Sequence, residues 1–260
     1  MPIYPRILWQ NRLVGATLTA DVEDTGFPVE NLADWRDYVR WAGSSAASYT
    51  IGIDCGSSVS ANCLAFAGHN LYSAGATAME LQCWDVPEDK TVVNTADIVP
   101  DSDKPLAFFF ENISVASSHT ARYWQLVITG DWEMNLEIGV LFIGNYLEMP
   151  QSPEIPYDPD QTEDHVDRSI GGGGRLLGVV NEWTGFNMEW TFRFLSQTWV
   201  HDTWLPFWES HKFTPFIFSW DSVGHGDEVH YGYFNQSEMT VPYDGYYRQP
   251  LTIVIAGIKE

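Results

Sequence analysis

Asp34, Trp35, Asp37 and Tyr38 stand together in one stretch, and His69-Asn70 follow on a later loop. Rings beside carboxylates suit sugar recognition. An aromatic ring covers the apolar face of a pyranose, while carboxylates and amides take its hydroxyls. The two aspartates also offer hard oxygen ligands of the kind calcium takes. The plainer reading is that the rings pack in a core and the carboxylates face water. These six residues are the candidate glycan contacts. No metal ligand is assigned, and calcium is the one cofactor left open.

A second group, His211, His225 and His230 near Asp221 and Asp227, has the residue types of a metal site or an acid–base pair. Such clusters more commonly serve structural hydrogen bonds. The sequence has no GxSxG, HExxH, GxxxxGK[ST] or CxxC. Gly171–Gly174 lacks the Lys-Ser/Thr of a phosphate loop and reads as a flexible joint. Among 35 acidic residues no carboxylate pair stands out for glycoside hydrolysis. The expectation is a protein that is not an enzyme.

The 260-residue chain is long enough for two domains with separate cores. Its 12 Trp, 12 Tyr and 14 Phe favour strands and contact surfaces. A formal charge of −22 argues against nucleic-acid backbones and anionic lipid as partners. No apolar run has the roughly 20 residues of a membrane span, and Met1–Gln10 lacks a signal core. Cys55, Cys63 and Cys83, odd in number, fit reduced and buried thiols.

The elements that would position these residues are strands. Tyr49, Ile51 and Ile53 alternate with Thr50, Gly52 and Asp54. Met79, Leu81 and Cys83 alternate with Glu80, Gln82 and Trp84, and further strands fall at 61–67, 106–113, 123–129 and 136–143. The loop 85–105 is long enough to suggest a functional role. Residues 149–167, with prolines among carboxylates, read as a linker that forms no packed element. Beyond it, Met188, Trp190, Phe192 and Phe194 alternate along one strand. Trp204, Phe207, Trp208 and His211 form a helical stripe over about 203–212, capped by Asp202 or Thr203, with Pro206 in its first turn.

The first half resembles the discoidin, or galactose-binding-like (F5/8 type C), family. The likeness is carried by Asn31-Leu32 with Trp41, by the strand ending Ile53-Asp54-Cys55-Gly56, and by Ala121-Arg122-Tyr123-Trp124 before Leu126-Val127-Ile128. It implies a jelly-roll sandwich over residues 1–148, whose end loops bind sugars or lipids, often with a bracing calcium.

The second half resembles tailed-bacteriophage minor and distal tail proteins. That likeness runs through Trp204–His211, Thr214–Trp220, Asp227–Tyr231 and Arg248–Gly257. It implies a tail-tube-like sandwich with one flanking helix over residues 168–260, forming a ring at the end of the tail tube.

The expectation is then an all-β, two-domain tail-tip protein of the virion, assembled in the host cytoplasm. Its partners would be copies of itself, as a hexamer in preference to a trimer, and the tail tube, tape-measure and hub proteins. Trp204, Phe207, Trp208 and His211 would be the joining surface, and the outward domain would touch a host surface glycan. No sequence-specific nucleic acid and no membrane insertion are expected. The alternative is a soluble carbohydrate-binding module or adhesin.

Overall fold

The computed structural model describes residues 4–44, 46–86, 89–94, 98–156, 158, 161–221, 225, 228–239, 241 and 248–259. The chain is all-β apart from short helical segments, and it divides into two compact units. The N-terminal unit comprises Arg6–Glu148 and Ile217–Val229, and the C-terminal unit Met1–Pro5, Met149–Phe216 and His230–Lys259. The segment 217–229, which sequence position alone assigns to the second domain, thus belongs to the first.

Ten strands build most of the N-terminal unit: β1 Arg6–Asn11, β2 Thr17–Ala20, β3 Trp41–Gly43, β4 Ser48–Ala61, β5 Cys63–His69, β6 Ala76–Trp84, β7 Thr91–Val92, β8 Leu106–Phe109, β9 His119–Gly130 and β10 Leu136–Glu148. One sheet has the order β2-β4-β9-β6-β7, all antiparallel. The facing sheet runs β1-β10-β5-β8, with β3 also on β10. Ile217, Phe218 and Ser219 extend it by pairing with Leu8, Ile7 and Arg6.

Alternation decides which faces meet. Tyr49, Ile51 and Ile53 point inward from β4, Met79, Leu81 and Cys83 from β6, and Trp124, Leu126 and Ile128 from β9. They join Trp41, Leu64, Phe66, Ile138, Leu141 and Ile143 of the other sheet in one core. Each large side chain buried this way contributes about 1.5–3 kcal/mol. Arg6 is buried between the rings of Phe109 and Tyr146, with the Glu111 and Glu148 carboxylates at 2.6 and 2.7 Å. All three cysteines are free thiols. Burial pushes Cys83 up to about 11 and Cys63 well above its ordinary value.

In the C-terminal unit, β11 (Glu163–Ile170) and β12 (Leu176–Ser196) form a hairpin, and β12 then pairs with β15 (Arg248–Ile258). β14 (Val229–Phe234) pairs with β15, whereas β13 (Phe216–Ser219) is the segment that extends the N-terminal unit's sheet at β1. Residues 149–167 are not wholly a spacer. Met149 and Pro153 are buried, and Glu163–Asp167 lie in β11. The glycine run is no joint between domains. Gly171 and Gly174 close the β11–β12 turn, Gly174 at φ +74°, where glycine is favoured.

The helix begins earlier than the stripe suggests. Ser196, not Asp202 or Thr203, caps it, its Oγ accepting from the Trp199 N–H at 3.1 Å. It continues through a π turn, Val200–Trp204, into the α-helix Leu205–His211. Pro206 would press on the carbonyl of residue 202 in a regular helix. The wider turn, in which Leu205 N–H bonds to Val200 O, relieves that clash.

Among the described residues no helix is long and apolar enough to cross a membrane.

Candidate functional site

A cleft of about 720 Å3 opens at one end of the N-terminal sandwich. It is lined from three stretches: Asp37, Tyr38 and Arg40; Gly68, His69, Asn70 and Tyr72; and Asp101–Lys104 of the long loop, with Glu137 at the start of β10. Four of the six residues singled out from sequence, Asp37, Tyr38, His69 and Asn70, therefore meet. Asp34 and Trp35 do not line the cleft. The Asp34 carboxylate accepts from Arg36 Nε at 2.9 Å, Nη2 at 2.6 Å and the Arg36 N–H at 3.0 Å. That guanidinium holds Asp34 below the usual carboxylate range. Asp34 shapes its own turn and has little left to offer a ligand.

Two glycines let the Asp37 loop lie directly on the sheet. A Cβ at Gly139 would fall 2.1 Å from the Asp37 carbonyl oxygen, and one at Gly68, held at φ +60°, 2.8 Å from it. The floor is then fixed by hydrogen bonds. Asn70 accepts from the Glu137 N–H at 2.7 Å and donates to Asn135 O at 2.9 Å, so its amide fastens β10 to the turn. The Asp103 carboxylate accepts from the N–H groups of Tyr72 and Ser73 at 2.9 and 3.1 Å and pins the long loop to the short helix Leu71–Ala74. Arg40 pairs with Glu137.

His69, 6% exposed, lies beneath this floor, its Nδ1 accepting from the Leu71 N–H at 3.4 Å and its ring edge-on to Phe66. Burial pulls its pKa down to about 4, against the opposing pull of the Asp103 carboxylate and the Lys104 backbone. The imidazole is neutral at pH 7 and supports the site from below.

The rings remain outside. Tyr38 is 69% exposed and Tyr72 59% exposed, and both line the cleft. The arrangement offers two exposed phenol rings beside carboxylates, an amide and a guanidinium fixed by their own hydrogen bonds. It suits a polyhydroxylated ligand, whose ring carbons want cover and whose hydroxyls want planar partners. Sequence reasoning missed Arg40, Tyr72, Asp103, Lys104 and Glu137. The length of the 85–105 loop was the one signal pointing to Asp103 and Lys104.

The other candidates lie elsewhere. His225 stacks on Trp220 at 4.9 Å and meets Glu228 at 3.4 Å in the N-terminal unit. In the C-terminal unit His211 stacks on Phe207 and His230 packs against Phe186. Asp227 lies outside the described residues. Among the described residues no three His, Cys, Asp or Glu side chains converge as metal ligands. The proposed joining surface needs correction: Trp204, Phe207 and Trp208 are buried in the core of their own unit, packed with Phe234, and His211 is half-buried on Phe207. An apolar helical stripe reads the same whether it covers its own sheet or a neighbour.

No family model matches the sequence, and no curated protein matches it. Solved structures do. The CBM32 of AlyQ in complex with 4,5-unsaturated mannuronic acid is 20% identical over 49% of this chain and 92% of that one, with a TM-score of 0.39. A chitosan-binding module 1 derived from the chitosanase/glucanase of Paenibacillus sp. IK-5 is 17% identical over 52% of this chain and 98% of that one, at 0.42. A Ruminococcus gnavus GH29 fucosidase is matched over 53% of this chain and 27% of its own, at 14% identity and 0.42. These identities carry no ligand from any of them to this chain.

Proposed function

We propose that this protein is a glycan-binding, non-catalytic protein that takes a sugar in the cleft of its N-terminal unit. The observation that carries this reading is the pair of exposed rings, Tyr38 and Tyr72, above a polar floor already locked by its own hydrogen bonds. A preorganised site loses little freedom on binding. The test is a glycan array followed by titration of any ligand found. Tyr72→Ala and Tyr38→Ala are each expected to weaken binding about tenfold, the loss of one ring contact of roughly 1.4 kcal/mol. Both residues are mostly exposed, so the thermal midpoint should stay put. Unchanged affinity in both variants would move the site elsewhere.

A second reading is favoured by a separate feature. Residues 163–184 of β11 and β12 form a two-stranded arm, because the pairing of β12 with β15 begins at Gly185. Ile170, Leu176, Leu177, Val179, Val180 and Trp183 are exposed on it, from 44% for Trp183 to 71% for Leu177. An isolated ribbon is marginal in water, and one with apolar residues and a free edge invites a partner strand. Assembly through this arm fits the ring component of a phage tail tip to which the second half has its resemblance, with other tail proteins as partners. Light scattering should give a discrete multiple of the 29.4 kDa chain mass. Leu177→Asp with Val180→Asp should return it to monomer without unfolding it. A wild type that stays monomeric would remove this reading and leave the glycan-binding one.

A further inference from the structure

The outer face of the five-stranded sheet of the N-terminal unit carries a shallow groove of about 590 Å3, built from β2, β4, β9 and β6. Strand register lays its residues out in rows. Thr17, Asp54, Tyr123 and Trp84 are successive cross-strand partners in one row, and Thr19, Gly52, Gln125 and Gln82 in the next. Across four strands a row spans about 14 Å, at the ~4.8 Å spacing of paired strands.

One wall of this groove is stiff. The rings of Trp84 and Tyr123 stack 6.0 Å apart and 19° from parallel. Arg122 lies 4.8 Å from the centre of the Tyr123 ring and grips Asp54 with Nε at 2.7 Å and Nη2 at 2.9 Å. Lys90 lies 4.4 Å from the centre of the Trp84 ring and donates to Gln125 Oε1 at 2.7 Å. Such a run of ring and cation contacts holds long side chains in single rotamers. The floor is lowered at Gly52, where a Cβ would come within 2.7 Å of Thr19 Oγ1. The far side is polar, with Thr17, Thr19, Thr50 and Asp21, whose carboxylate accepts from the Thr50 N–H at 2.9 Å.

We propose that this groove is a second carbohydrate site, separate from the end cleft, and that it takes a stretch of a neutral polysaccharide lying across the strands. Gln125 and the threonines would meet hydroxyls, and the edges of Trp84 and Tyr123 would meet ring carbons, while Asp54, held by Arg122 and the Gly56 N–H, fixes the wall. The Asp21 carboxylate in the groove, on a chain of formal charge −22, disfavours an anionic polymer. The inference rests on the reading of the chain as glycan-binding, but it concerns other residues.

Affinity electrophoresis of the full chain through gels containing hydroxyethyl cellulose, galactomannan or dextran tests it. Retardation by at least one polymer is expected to survive Tyr38→Ala/Tyr72→Ala. It should fall about tenfold in apparent affinity in Gln125→Ala, which removes a side chain's hydrogen bonds at the groove. Gly52→Val, which fills the floor, should do the same, and Gln125→Ala keeps the result readable if Gly52→Val fails to fold. Retardation lost with the two tyrosines and untouched by Gln125→Ala would overturn the groove and leave the cleft standing. No retardation of the wild type by any of the three polymers would also overturn the groove, while the cleft is judged on its own array.

Discussion

Trp204→Ala is expected to cost about 3–5 kcal/mol of stability, the range for truncating a large aromatic in a packed core. Trp204 is fully buried. Its ring stacks on Trp199 at 6.0 Å, meets Phe207 and Phe234 at 5.2 and 6.1 Å, and its Nε1–H reaches Met239 Sδ at 2.7 Å. Removing it takes away those contacts and leaves a void that the neighbouring rings cannot all close. Denaturant unfolding should show the midpoint fall with the slope unchanged. The contrast with the arm makes the result decisive for assembly. A side chain at a joining surface costs association and little folding, as expected of Leu177 and Val180. A core side chain costs folding first. Near-native stability in Trp204→Ala, together with loss of any oligomer, would return the stripe to its first reading.

The alternating strands were legible because one face of each is buried and the other is not. Tyr49-Ile51-Ile53 and Met79-Leu81-Cys83 announce their inward faces without help. Pairing was not legible, since β1 joins β10 across more than 130 residues, and Ile217–Ser219 returns to β1 across more than 200. Nothing local encodes a contact of that range. The arm was invisible for a related reason. Leu176–Val180 looks like any apolar strand, and its exposure follows from where β15 stops pairing. The start of the helical segment was hidden by its π turn, which shifts the hydrophobic period ahead of Pro206. At the cleft, Asp37, Tyr38, His69 and Asn70 could be proposed from residue type, because rings and amides in loops are rare enough to notice. Asp103 and Lys104 could not, because one acid in an acidic loop resembles the next until Asp103 is found on the Tyr72 and Ser73 amides.

His69 gives the second large effect, and it is one of pH. The imidazole has an ordinary value of 6.5 and is held at about 4 in the folded chain, first by burial. Between those two values the unfolded chain takes up a proton that the folded one refuses. The contribution of His69 to stability is therefore complete above about pH 6.5, declines as pH falls through the window, and levels off below about pH 4. A gap of about 2.5 between the two values corresponds to about 3 kcal/mol. Burial also lowers the values of His119 and His211, which add to the decline in the same direction. Asp54, lowered from 3.8 to about 2 by Arg122, adds a further loss in the same direction, one that only begins at the acid end of this window. The check is denaturant unfolding at pH 7 and pH 4.5, read by the exchange protection of amides in β5 and β10. His69→Leu should lose about 1 kcal/mol at both values, for the Leu71 N–H left without its acceptor, yet shed most of the difference between them. A wild-type pH dependence that survives His69→Leu intact would put the proton elsewhere. If the difference disappears, the floor of the cleft is fastened by a neutral imidazole, and glycan binding should weaken as pH falls to about 4, where the folded imidazole takes its proton and that floor loosens.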